Sequence, residues 1–159
     1  MPAWDKARIE NVYIRQKNIT KQKAVISVET EVLSSDEVSN AKITVKDANS
    51  GVVYGTTTAN LEKGENKVAV DFSIDNPKLW WSNGLGEAHL YKFETTVETG
   101  VETLDSKTET TGLRSIKVIT DPDKDGSPLY FELNGVRVFA KGANLVPGDN
   151  FLPRITREK

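Results

Sequence analysis

Four stretches of this chain alternate apolar and polar residues with a period of two, and that rhythm restricts its fold more than any other feature. A β-strand turns successive side chains to opposite faces, so a chain that alternates in this way builds sheets with one buried and one wet side. Ala24, Ile26, Val28 and Val32 share one face while Ser27, Glu29 and Glu31 take the other. Ile43 and Val45 alternate with Lys42, Thr44 and Lys46. The pattern returns in Val68, Val70, Phe72 and Ile74 with Lys67, Asp71 and Ser73 opposite, and in Tyr91, Phe93 and Val97 with Lys92, Glu94 and Glu98 opposite. No helical periodicity of useful length accompanies it.

Turn formers separate these runs: Asp47-Ala48-Asn49-Ser50-Gly51, Glu62-Lys63-Gly64-Glu65-Asn66, Ser82-Asn83-Gly84-Leu85-Gly86 and Thr99-Gly100. Strands from Ile9 to Ile14, around Glu102 to Thr110 and around Arg114 to Ile119 bring the expected total to about seven. That number suits an all-β, immunoglobulin-like sandwich of two antiparallel sheets. Val28, Val45, Val70, Phe72, Tyr91 and Phe93 should point into its core. The Thr/Glu/Lys-rich stretch from Glu94 to Thr111 fits an exposed edge strand whose charges discourage pairing with another edge.

After Ile119 the character changes. Thr120-Asp121-Pro122-Asp123-Lys124-Asp125-Gly126-Ser127-Pro128 is a charged Pro/Gly loop of the kind that marks a domain edge. Leu129 to Leu133, Asn134-Gly135 and Val136 to Ala140 then read as a β-hairpin, with a type I′ turn between apolar strands. Lys141 to Lys159 has no period of its own and reads as cut off in mid-element. One domain plus a tail is what 159 residues allow.

Composition excludes several functions. The 21 basic and 23 acidic residues, net −2, are spread along the chain and leave no basic stripe for nucleic acid. Without cysteine there is no disulfide, thiolate zinc site or cysteine nucleophile. No run approaches the ~20 apolar residues of a membrane helix. Met1 to Asp5 lacks the apolar core of an export signal, so any such signal is expected to belong to a longer parent.

Few residues carry candidate chemistry. Asp121-x-Asp123-x-Asp125-Gly126-x5-Glu132 matches the calcium-loop pattern of EF-hands at its acidic and glycine positions. That pattern is specific only between helices; here strands flank it, so a solvated turn is the favoured reading and calcium the minority one. Trp80-Trp81 suggests an aromatic platform for a sugar ring. Adjacent residues of an extended chain face opposite ways, however, so packing in the core or against another domain is favoured. His89, the only histidine, has no partners for a metal or a nucleophile and reads as structural or exposed. No two carboxylates stand out as an acid and nucleophile. No catalytic, cofactor or metal residue is assigned.

Three stretches together resemble the β-mannosidase branch of family 2 glycoside hydrolases. Trp4 to Ile14 is similar to the exit from that family's N-terminal sugar-binding domain. Asn76-Pro77-Lys78-Leu79-Trp80-Trp81-Ser82-Asn83-Gly84-Leu85-Gly86, followed by Leu90-Tyr91, resembles its Pro-x-Leu-Trp loop, and Gly112-Leu113-Arg114 its Gly-Phe-Arg step out of the sandwich. Phe131 to Asn144, with Pro147 to Phe151, looks like the strand pair and first strand that open its (β/α)8 barrel; Leu145 departs from the usual aromatic residue.

The resemblance implies an exit segment over 1–6, a sandwich over 7–120, and a linker, hairpin and cut-short barrel strand over 121–159. It implies a parent that hydrolyses β-mannosides with retention, using two glutamates ~5–5.5 Å apart on later barrel strands. This chain is expected to end before them and to be an inactive accessory piece. Asn144 and Asp149 would border the sugar pocket or bond their own loop. The implied partners are the parent's other domains and its carbohydrate substrate, with no cofactor, nucleic acid or membrane; a bacterial parent would be periplasmic or secreted. The alternative is a free-standing carbohydrate-binding or adhesion module, and the segment Leu129 to Phe151 discriminates, since a complete module has no use for it. Residues beyond Lys141 are expected to be poorly ordered or held by neighbouring molecules.

Overall fold

The computed structural model describes residues 6–100, 102–122, 124, 126, 129–144, 152–154 and 156. Strands β1 (Ala7–Ile19), β2 (Lys23–Ser34) and β5 (Gly64–Asp75) form one antiparallel sheet in the order β1-β2-β5. Strands β3 (Val38–Asp47), β4 (Val53–Leu61), β6 (Tyr91–Thr99) and β7 (Glu102–Thr111) form the second, in the order β4-β3-β6-β7. The two sheets bury their alternating apolar residues against each other, as the period-2 pattern requires. Ile26, Val28, Ile43, Val45, Phe93 and Val97 are fully buried between them.

Of the six residues expected inside, Val28, Val45, Val70, Phe72 and Phe93 are buried, and Tyr91 is half-buried. Its ring stacks on Phe93, with centroids 5.8 Å apart, while its hydroxyl stays at the rim and accepts a hydrogen bond from the Lys78 amide at 2.9 Å. A buried phenol needs such a partner, and this position supplies one. Tyr54 and Phe72 complete the cluster, each in edge contact with Phe93. At Gly55 the sheets come close enough that a Cβ would lie 2.9 Å from Val70 Cγ1.

The sandwich has seven strands, but not the seven expected. Val53–Leu61 joins the edge of the second sheet. The segment counted as the seventh, Ile116–Ile119 (β8), instead builds a small antiparallel sheet with β9 (Tyr130–Leu133) and β10 (Val136–Val138), in the order β10-β9-β8. The hairpin has the expected turn: Asn134 and Gly135 have φ of 50° and 80°, the pair of positive values that a type I′ turn demands.

Of Ala140 to Leu145, where the resemblance puts the first barrel strand, Ala140 to Asn144 form no strand and Leu145 lies outside the described residues. A barrel strand is bonded by neighbours on both sides, and none of the described residues supplies them. Most of the segment beyond it, residues 146–151, 155 and 157–159, lies outside the described residues.

Along one side of the sandwich the edges of the two sheets meet. The Ile9 amide donates to Asp105 Oδ2 at 2.7 Å, Lys107 Nζ donates to the Glu10 carbonyl at 3.1 Å, and Lys6 pairs with Glu102 at 3.0 Å.

Candidate functional site

The loop between β5 and β6 carries the tryptophan pair, and glycine fixes the place of both rings. A Cβ on Gly112 would stand 2.6 Å from Trp80 Cγ and Cδ1, so the Trp80 ring lies directly on that backbone; the Arg114 guanidinium covers the ring at 4.8 Å. Trp81 lies on Gly86 in the same manner, with an added Cβ 2.8 Å from its Cγ. Only glycine allows a ring this near the main chain. Both tryptophans are half-buried by this packing, so neither is the flat, open platform that would stack on a sugar ring.

Hydrogen bonds lock the same loop. The Trp80 amide donates to the Leu113 carbonyl at 2.8 Å, and the Trp81 amide to the Glu87 carbonyl at 3.0 Å. The Trp80 carbonyl accepts from Asn134 Nδ2 at 2.9 Å. Asn134 also accepts the Ser115 amide on Oδ1 at 2.9 Å and donates its own amide to the Ser115 carbonyl at 2.8 Å. Gln16 of β1 closes the arrangement: its Nε2 donates to the Gly112 carbonyl at 3.1 Å and its Oε1 accepts the Arg114 amide at 2.9 Å. Strand β1, the tryptophan loop, the exit from β7 and the hairpin therefore converge on one joint. Its side-chain amides are spent on backbone groups, which makes it a structural clasp rather than a reaction centre.

The other candidates are not drawn into this joint. His89 is half-buried, packed edge-on to Tyr91 at 4.9 Å, with Nδ1 3.8 Å from Glu87 Oε1. Asp121 is exposed, and Asp123 and Asp125 lie outside the described residues. Glu132 stands in β9 directly across from Lys117 and Arg137. Among the described residues no three His, Cys, Asp or Glu side chains gather as metal ligands. Asn144 is exposed and in no element, and Asp149 lies outside the described residues.

Among the described residues each resolved shift of a carboxyl is downward. Amide and hydroxyl bonds from Ser50, with the Asn49 amide, hold Asp47 low; bonds from Lys67 and Asn11 do so for Glu31, and bonds from Lys17 and Ser27 for Asp71. Lys67 is raised by Glu31, and burial raises Tyr54. A glycosidase acid needs the opposite shift, a carboxyl held up by an apolar pocket.

Sequence reasoning located the tryptophans and the Asn-Gly turn but missed Gln16 and the cross-chain role of Asn134. No local pattern marks these bonds, because Gln16 reaches Arg114, 98 residues away, and Asn134 reaches Ser115 and Trp80, 19 and 54 residues away.

Comparison with known proteins gives this joint its context. The family model for glycosyl hydrolases family 2 matches residues 7–114, which is the sandwich and its exit step. The chain is similar to Beta-mannosidase B of Aspergillus flavus, 35% identical over 139 residues, and to that of Aspergillus niger, 33% identical over 140 residues. These alignments take in 87% and 88% of this chain and 16% of each relative, so the chain spans about a sixth of their length. The fold superposes on a β-D-mannosidase from Dictyoglomus thermophilum with a TM-score of 0.80 and 29% identity, over 99% of this chain and 19% of that one. With its sandwich and exit step inside the family model and nearly nine-tenths of its length aligned to β-mannosidases, the chain belongs to glycosyl hydrolases family 2.

Proposed function

We propose that this chain is a noncatalytic accessory domain of a longer retaining exo-glycosidase that acts on β-mannosides, and that it spaces and braces the catalytic barrel. The observation that carries this reading is a disproportion: relatives called β-mannosidases align with nearly all of this chain, yet it amounts to 16% of their length. The clasp at Trp80 and Asn134 supports the bracing role, for it ties the sandwich to the hairpin that follows it. In this reading residues 1–6 lead in from a sugar-binding domain, 7–120 hold the sandwich and, at their end, strand β8, which pairs with the hairpin, and 121–159 carry the linker, hairpin and opening of the barrel. The partners are the parent's own domains, with its carbohydrate substrate.

The test compares this chain with the longer polypeptide that contains it, on an aryl β-mannoside. The longer protein is expected to turn the substrate over and the 159-residue chain to show only background. Turnover by the short chain that survives repurification and follows its protein peak overturns the accessory reading.

A further inference from the structure

Two Asn-Gly pairs occur in the chain, Asn83-Gly84 and Asn134-Gly135, and the fold treats them in opposite ways. Asparagine followed by glycine is the pair most open to loss of its side-chain ammonia, because glycine has no Cβ to hinder the approach of its nitrogen to the side-chain carbonyl. In the tryptophan loop, Asn83 and Gly84 form the corner of a β-turn closed by the Leu85 amide on the Ser82 carbonyl at 3.1 Å, with Gly84 at φ 85°. Both are exposed, and among the described residues nothing bonds the Asn83 carboxamide or the Gly84 amide. Asn134 is half-buried, and its carboxamide is held at both ends, Nδ2 by the Trp80 carbonyl and Oδ1 by the Ser115 amide, each at 2.9 Å. In Asn49-Ser50, another pair with a small second residue, the Ser50 amide is already taken by Asp47 Oδ1 at 2.6 Å.

We propose that Asn83 is a self-modification site, converted to aspartate and isoaspartate through a cyclic imide, while Asn134 stays intact. The Gly84 nitrogen, having lost its proton, attacks Asn83 Cγ. The new C–N bond closes the imide ring, the Cγ–Nδ2 bond breaks, and Nδ2 leaves as ammonia with a proton returned from solvent. Water then opens the ring, giving its hydroxyl to a carbonyl carbon and its proton to the nitrogen. Opening at Cγ gives aspartate; opening at the backbone carbonyl gives isoaspartate, whose main chain runs through the former side chain. Either product adds one negative charge to the formal net −2. The surroundings suit that charge, because Arg137 and Lys141 line the other wall of the groove that Asn83 borders, and cations favour a carboxylate over a neutral amide. At Asn134 the same reaction requires the carboxamide to leave two backbone partners at once, so it waits on local opening of the hairpin. Asn83 thus sets a slow change of charge between the tryptophan loop and the hairpin, whether or not the accessory-domain reading holds.

Timed incubation of the 159-residue chain in mildly alkaline buffer, well below its melting temperature, tests the assignment. Peptide mapping by mass spectrometry reads the exchange of amide for acid at each asparagine, in folded chain and in chain held unfolded by guanidinium chloride. In the folded chain the peptide bearing Asn83 should convert at least about tenfold faster than the one bearing Asn134, and in the unfolded chain the two should convert at comparable rates. Comparable rates in the folded chain overturn the proposal. An Asn83 that survives in the folded chain while it converts in the unfolded one overturns it too. A gap equally wide in the unfolded chain belongs to the flanking sequence rather than to the fold, with the same consequence. Asn83→Gln should abolish the fast-forming acidic species on an isoelectric gel; the same species in that variant places the reaction elsewhere and ends the assignment.

Discussion

Asn134 donates its side-chain amide to the Trp80 carbonyl at 2.9 Å, across 54 residues of chain. One asparagine thereby does two things: it takes the positive φ of a hairpin turn and bonds the loop beneath it.

Those two contributions separate by substitution. Asn134→Ala loses the bonds to Trp80 and Ser115 and places an alanine at φ 50°, for an expected loss of about 2–3 kcal/mol in the stability of the hairpin. Asn134→Gly loses the same bonds without the backbone strain and should recover about 1 kcal/mol of that. Hydrogen exchange at the Ile116–Ile119 amides reads both values. Protection equal to that of the parent in the alanine variant would show that the clasp carries no load.

Gly112→Ala places a methyl 2.6 Å from the Trp80 ring, over which the Arg114 guanidinium also lies, 4.8 Å from its centroid. The ring has to move. A loss of about 1–3 kcal/mol in urea unfolding is expected, together with a red shift of tryptophan emission. Unchanged stability and emission would mean that the ring has room to shift.

Asp47, Glu31 and Asp71 all ionise more readily than ordinary carboxyls because they accept hydrogen bonds in the fold. A lowered carboxyl gives stability that is fully present above the unfolded value and is lost as pH falls through the folded one. Urea midpoints should therefore hold from neutral pH down to about 5 and fall below about 4. Asp47→Ala should flatten this acid limb. Lys67, raised by Glu31, has the opposite sign: its contribution is present below the ordinary lysine value and is lost as pH climbs through the raised one.

Calcium is expected to do little. Glu132, the last acid of the Asp121 pattern, sits in strand β9 in register with Lys117 and Arg137, not in a loop flanked by helices where a bidentate ligand for the ion is presented. Melting with ~1 mM calcium or with chelator should give the same midpoint; a clear rise with calcium would revive the loop as a site.

Alternation made most of the sandwich legible, because Ile26, Val28, Val45, Val70 and Phe93 announce a buried face in any sheet. It failed at β4 for a physical reason. Val53-Tyr54-Gly55-Thr56-Thr57-Thr58-Ala59-Asn60-Leu61 lies at a sheet edge and buries only Leu61 fully, so it writes almost no pattern. Ile116 and Val118 misled in the other direction: their alternation is real but belongs to another sheet. The joint at Trp80 was half visible. The glycines and tryptophans stood out by type, but the amides of Gln16 and Asn134 act on distant backbone, which no window of sequence reveals.

The meeting of sheet edges along β1 and β7 bears on how this protein behaves at high concentration. An open edge invites a foreign strand to add itself, and growth of that kind leads to fibrils. Here the Ile9 amide is taken by the Asp105 carboxylate, and the Glu10 carbonyl by Lys107. The ladder of β1 is also broken between Ile9 and Asn11 and again between Gln16 and Asn18. A strand approaching this rim meets occupied groups and interrupted spacing, so concentrated solutions are protected from strand-by-strand growth on this side.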